Sequence, residues 1–94
     1  MRIIGLGVLN AFCEKHADCR AWIATWVSDV KGSQWSTPHD IKKRYSSVSF
    51  LEDRIVIFNV RGNDYRLVVQ VAFSVGIVAI KWAGTHSQYD RRYG

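Results

Sequence analysis

Proton transfer near neutral pH is histidine chemistry, and a firm grip on an anion is arginine chemistry, because the planar guanidinium stays charged and forks onto oxygen pairs. This chain of 94 residues holds three histidines, His16, His39 and His86. His16 falls on the apolar stripe of an expected helix and reads as a packing residue; His39 falls in a first helical turn and reads as exposed. His86 follows the last expected strand. Strand parity would put it on the face of Val78, Ile80 and Trp82, and only its place at the strand end keeps it near solvent. Arg66 stands in an alternating run where Tyr65, Leu67, Val69, Val71 and Phe73 are apolar, so it points with Gln70 from the opposite, polar face. An arginine placed so is either paired with a carboxylate or holding an anion. Cys13-x-x-His16-x-x-Cys19 has metal-binding residue types but no nearby fourth ligand and no standard zinc spacing. Neither a metal nor a cofactor is expected, and the two thiols read as free and buried.

The elements that position these groups follow from periodicity and punctuation. Arg2-Ile3-Ile4 is a short β-branched strand. Leu6, Leu9, Phe12, Cys13 and His16 recur at helical spacing, and Asp18 is placed to cap a second helix whose Trp22, Ile23, Trp26, Val27 and Val30 share a face before Gly32-Ser33. Thr37 as N-cap, Pro38 at the first position and Asp40 in the first turn start a third, short helix to about Tyr45, exposing Lys42, Lys43 and Arg44. Arg54 to Val60, Tyr65 to Phe73 and Ile77 to Trp82 are strands joined by turns at Gly62-Asn63 and Ser74-Val75-Gly76, with Asn63 a turn residue that tolerates positive φ. The order is β-α-α-α-β-β-β. It implies an α+β fold, N-terminal helices packed on one face of a small, mainly antiparallel sheet, as a single domain over residues 1–94. The face of Arg66 and Gln70 is left open or lightly covered.

Thirteen Lys and Arg against eight Asp and Glu give a formal charge of +5, which suits a polyanionic partner because each cation placed on a phosphate releases a counterion. Hydrophobic residues make up 48%, which argues against disorder. No run has the length of a membrane span or the form of a signal peptide, so the reading is soluble and cytoplasmic.

Two segments carry a resemblance. Phe58-Asn59-Val60-Arg61-Gly62-Asn63-Asp64-Tyr65-Arg66-Leu67-Val68-Val69 is similar to the F-N-[IV]-x-G-N-x-[YL]-R-[LV]-V-[VA] core of HigB-type toxins, and Thr85-His86-Ser87-Gln88-Tyr89-Asp90 to their T-H-x-E-Y-D, with Gln88 in the place of Glu. Leu9-x-x-Phe12, Lys15-His16, the tryptophans Trp22, Trp26 and Trp35, and Ser36-x-x-x-Asp40-Ile41-Lys42 fit the same family's N-terminal half. The resemblance implies a RelE-like fold and cleavage of messenger RNA, often on the ribosome, with neutralisation by a helix-turn-helix antitoxin of the HigA type. It makes His86 the candidate acid or base, Arg66 the candidate stabiliser of phosphate charge, and Tyr89 a third catalytic candidate by stacking or phenol proton donation. Arg61, Asn63, Gln70, Lys42 and Lys43 are the candidate RNA contacts. A catalytically weak RNA-, ribosome- or antitoxin-binding module on the same fold is the competing reading.

Overall fold

A computed structural model describes residues 1–93. Strand β1 (Arg2–Ile4) leads into α1 (Leu6–Lys15), then α2 (Arg20–Lys31) and α3 (Pro38–Arg44). The second half is β2 (Ser49–Phe50), β3 (Ile55–Val60), β4 (Tyr65–Ala72), β5 (Ile77–Thr85) and a terminal helix α4 (His86–Tyr93). One sheet holds all five strands in the order β1-β5-β4-β3-β2, antiparallel except where β1 runs parallel to β5. The α+β expectation holds, with β2 and α4 added to it.

The core lies between the three N-terminal helices and one sheet face. Leu9, Phe12, Ile23, Trp26 and Val30 from the helices meet Val56, Phe58, Val60, Leu67, Val69, Val71 and Val78 from the strands. These are the odd positions of β4 and the even positions of β3, which pair across the hairpin in register Phe58↔Leu67. Trp26 is completely buried and meets Phe58 edge-on, ring centroids 5.4 Å apart. Gly5 makes the entry to α1 possible: its φ is +94°, and a Cβ there would come within 3.1 Å of the Ile80 carbonyl oxygen.

Local expectations meet the structure unevenly. α3 carries the full capping box, Thr37 accepting from the Asp40 N–H while the Asp40 carboxylate accepts from the Ser36 and Thr37 N–H groups. Asp18 does not cap α2. Residues Ala17–Cys19 form a 3-10 turn instead, and the Asp18 carboxylate is turned toward Arg61 and Tyr65 on the sheet. In the β3–β4 turn the left-handed residues are Arg61 and Gly62, with φ of 52° and 70°, and not Asn63.

The parity of β5 also changes midway. Val68 pairs with Trp82 and Val69 with Ile80, so Lys81 is an extra residue that bulges out. Before the bulge Val78 and Ile80 face the core; after it Ala83 does, and Trp82 and Gly84 move to the face of Arg66. Trp82 therefore does not share a face with Val78 and Ile80. Beyond Thr85 the chain enters α4, which packs back against β5 and β4.

Candidate active site

Arg66 rises from the middle of the sheet's second face, opposite Asn59 on β3 and Gly84 on β5. Its guanidinium donates to the carbonyls of Asn63 and Tyr65, both at 3.1 Å, and lies 2.8 Å from Nδ1 of His86. His86 reaches it because α4 starts there. Thr85 Oγ1 accepts from the Gln88 N–H at 3.1 Å, and Gln88 Oε1 accepts from the Thr85 N–H at 2.9 Å, a reciprocal cap on the helix start. The His86 N–H is fastened to the Asp64 carbonyl at 3.0 Å, tying α4 to the β3–β4 turn. Gly84 makes room for this arrangement, since a Cβ would lie 2.6 Å from both the Trp82 ring and Gln88 Oε1.

One turn further along α4, Asp90 places a carboxylate oxygen 2.9 Å from His86 Nε2. The three side chains form a chain, Arg66–His86–Asp90. Arginine has only donors, so Nδ1 must be the acceptor and the ring proton must sit on Nε2, facing Asp90. The Tyr89 ring lies 6.0 Å from the Arg66 guanidinium carbon and stacks on Tyr93 at 5.2 Å. His86 and Asp90 are about half exposed, so an incoming ligand can reach them.

Of the residues singled out from the sequence, Arg66, His86 and Tyr89 converge here, with the Asn63 backbone beside them. The others lie elsewhere. Gln70 donates to the Asp53 carbonyl at 2.9 Å, four residues along the strand from Arg66. Arg61 is paired with Asp18, whose carboxyl is pushed up by desolvation but pulled further down by the Tyr65 hydroxyl and the Arg61 charge, ending below its ordinary value. Lys42 donates to the Val48 carbonyl at 3.2 Å, and Lys43 is exposed beside it on α3, whose Ile41 is buried in the helix-side core. His16 packs between Phe12 and Tyr65, with centroids at 5.2 and 4.9 Å. Cys19 is fully buried, and desolvation beside Asp18 pushes its thiol up to about 11.

Two functional features escaped sequence reasoning. Thr85-x-x-Gln88 is a capping-box signature, and it announces a helix where a turn was expected. His86 and Asp90 then fall at i and i+4, which a helix brings together and a turn does not.

Among the described residues no helix is long and apolar enough to cross a membrane. No curated protein matches the chain significantly. A family model described as HigB toxin, the RelE-like toxic component of a toxin–antitoxin system, matches residues 19–92. Strands β3 to β5, the Arg66–His86–Asp90 chain and most of α4 lie inside that match, and the chain belongs to the HigB toxin family, the RelE-like toxic half of a toxin–antitoxin pair.

Proposed function

We propose that this toxin is an endoribonuclease that cuts messenger RNA, on the ribosome, and that a HigA-like helix-turn-helix antitoxin neutralises it. The observation that carries the reading is the 2.8 Å contact between Arg66 and His86 Nδ1, an anion-gripping group and a proton-transfer group on one atom-to-atom line. Cleavage requires a base for the ribose 2′-OH, a charge stabiliser for the phosphate and an acid for the departing 5′-oxygen.

The hydrogen bonds support these roles in the following order. In the free protein Arg66 occupies Nδ1, and Asp90 holds the Nε2 proton. A phosphate arriving at Arg66 offers the guanidinium a charged acceptor pair, which a neutral ring nitrogen cannot match. Arg66 turns to the phosphate and Nδ1 is released, unprotonated, beside it. The 2′-OH proton passes to Nδ1 as O2′ bonds to phosphorus, and Asp90 stabilises the imidazolium through Nε2. Arg66 bears the charge that builds on the phosphoryl oxygens. The P–O5′ bond then breaks, leaving a 2′,3′-cyclic phosphate, and the 5′-oxygen takes a proton from the Tyr89 phenol or from His86 itself. The competing, catalytically weak reading would rest on Gln88 in the place of Glu. Its amide oxygen accepts the Thr85 N–H, a role either side chain performs, so the substitution does not favour that reading.

The test is Arg66→Ala and His86→Gln, each assayed for melting, antitoxin binding and RNA cleavage. Cleavage should fall about 10²–10³-fold for Arg66→Ala and about 10²–10⁴-fold for His86→Gln. Melting and antitoxin binding should hold. Near-normal cleavage by both folded variants overturns the mechanism.

A further inference from the structure

We propose that the cleft between α1 and α4 is a track for the sugar–phosphate backbone of single-stranded RNA leading away from the Arg66–His86 site. The proposal rests on the ribonuclease reading and adds a second binding site to it. The cleft has a volume of about 790 Å³ and is lined by Lys15 and His16 from the α1 side, Arg91 and Arg92 from α4, and Phe12 and Trp82 among its apolar residues. No Asp or Glu lines it.

What separates these cations from other unpaired ones, such as Lys42 and Lys43, is that they converge on one cleft. Arg44 is paired with Asp29 at 2.6 Å and Arg61 with Asp18. Among the described residues no carboxylate lies within ion-pair distance of Lys15, Arg91 or Arg92. A basic residue in the last turn of a helix complements the helix dipole, which accounts for a cation at each helix end. It does not account for two such ends converging on one carboxylate-free cleft. Three fixed like charges around a concavity repel one another until an anion enters, and a chain of phosphates meets all three at once.

Position favours RNA over an acidic protein segment. Gln88 belongs to both places: its side chain lines the cleft and caps the helix that begins with His86. Gly84 likewise lines the cleft and is the cross-strand partner of Arg66. A strand held at Arg66 therefore passes into the cleft without crossing a ridge of carboxylates. The half-buried Trp82 ring gives bases a surface to lie on while the phosphates face the cations, the usual division of labour in single-strand grooves.

The experiment titrates a fluorescent single-stranded oligoribonucleotide, 2′-O-methylated to block attack, against the full-length toxin over a salt series. The triple variant Lys15→Gln, Arg91→Gln, Arg92→Gln is compared with the control variant Arg2→Gln, Lys31→Gln, which removes two cations outside the cleft. Single-strand binding loses about 0.7 in log–log salt slope per phosphate contact removed, so the triple variant should lose about 2 and bind on the order of tenfold or more weakly at low salt. The control variant should change little. All five residues are exposed, and melting checks that the variants remain folded. An unchanged slope in the triple variant, or an equal loss in the control variant, overturns the proposal and leaves the ribonuclease reading intact. Normal RNA binding with lost antitoxin binding assigns the cleft to the protein partner and also overturns it. Absence of RNA binding by the unaltered toxin overturns the track and leaves cleavage on the ribosome to be decided by the Arg66→Ala and His86→Gln assay.

Discussion

The two faces of the sheet use the same residue types to different ends. On the helix-covered face the aromatic rings are buried and two arginines at its margin are paired with carboxylates: Trp26 against Phe58, Arg44 with Asp29, Arg61 with Asp18. On the α4 face Tyr89 stacks on Tyr93, Trp82 meets Tyr93 edge-on at a half-exposed surface, and Arg91 and Arg92 have no carboxylate in ion-pair distance among the described residues. A paired charge at a core margin helps hold elements together and has nothing left for a ligand. An unmatched charge over a thin helix contributes little to folding and leaves its hydrogen bonds available. Stability and chemistry are thus separated by one layer of β-sheet, and substitutions on the two faces should divide accordingly.

The largest separation is expected at Trp26. Truncation to Ala empties a fully buried ring site and should cost about 3–5 kcal/mol, a large part of the ~5–15 kcal/mol that domains have in total. Chemical denaturation reads it directly. Trp26→Phe should cost clearly less, because the indole N–H is buried without a partner and its removal relieves a desolvated donor. Equal losses for the two would mean that the N–H has found a partner after all. Neither change should alter the cleavage rate per folded molecule.

A finer separation comes from two capping boxes of the same design. Thr37 caps α3 on the helix side, and Thr85 caps α4 on the other face. Loss of such a cap costs about 0.5–2 kcal/mol. Thr37→Ala should show that loss in melting and leave cleavage unchanged. Thr85→Ala should barely move the melt, since α4 buries no residue fully, yet it should slow cleavage by letting His86 and Asp90 drift from Arg66. Acid adds a second reading of the α3 box. The Ser36 and Thr37 N–H groups hold the Asp40 carboxyl below its ordinary value. Its stabilising share is complete above the unfolded-chain value of about 3.9 and is lost as pH falls through the depressed folded value. Asp40→Asn should flatten that acid limb of the melting curve.

Sequence reading succeeded where a local signal and the tertiary structure agree. The odd positions of β4 and the Thr37-Pro38-Asp40 start of α3 are of that kind, because period and cap chemistry are local properties. It failed where a distant partner decides. Asp18 has the makings of a cap but faces Arg61, 43 residues away, and Tyr65. The Lys81 bulge reverses the facing of Trp82, and no periodicity within β5 alone announces it. For the site, residue types pointed to Arg66 and the motif to His86, whereas Asp90 needed α4 to be recognised as a helix. Arg91 and Arg92 line a cleft with residues of α1, a juxtaposition that no local signal in the sequence announces.

The smallest expected effect is at Gln88, and it bears on the comparison because this residue belongs to the active face yet acts as a cap. Its Oε1 accepts the Thr85 N–H at 2.9 Å, and a glutamate oxygen in the same place accepts the same proton. Gln88→Glu adds a negative charge to the first turn of α4, where the helix dipole favours it by about 0.3–1 kcal/mol at an exposed site. It also adds a carboxylate to the edge of the α1–α4 cleft, which works against phosphate. The two effects fall on different measurements. Melting should stay level or rise slightly, cleavage should change less than tenfold, and RNA affinity at low salt should drop modestly. A rise in cleavage of a hundredfold or more would give position 88 a part in the chemistry itself, so that the chain would be a weakened nuclease and Gln88 more than the cap that positions His86.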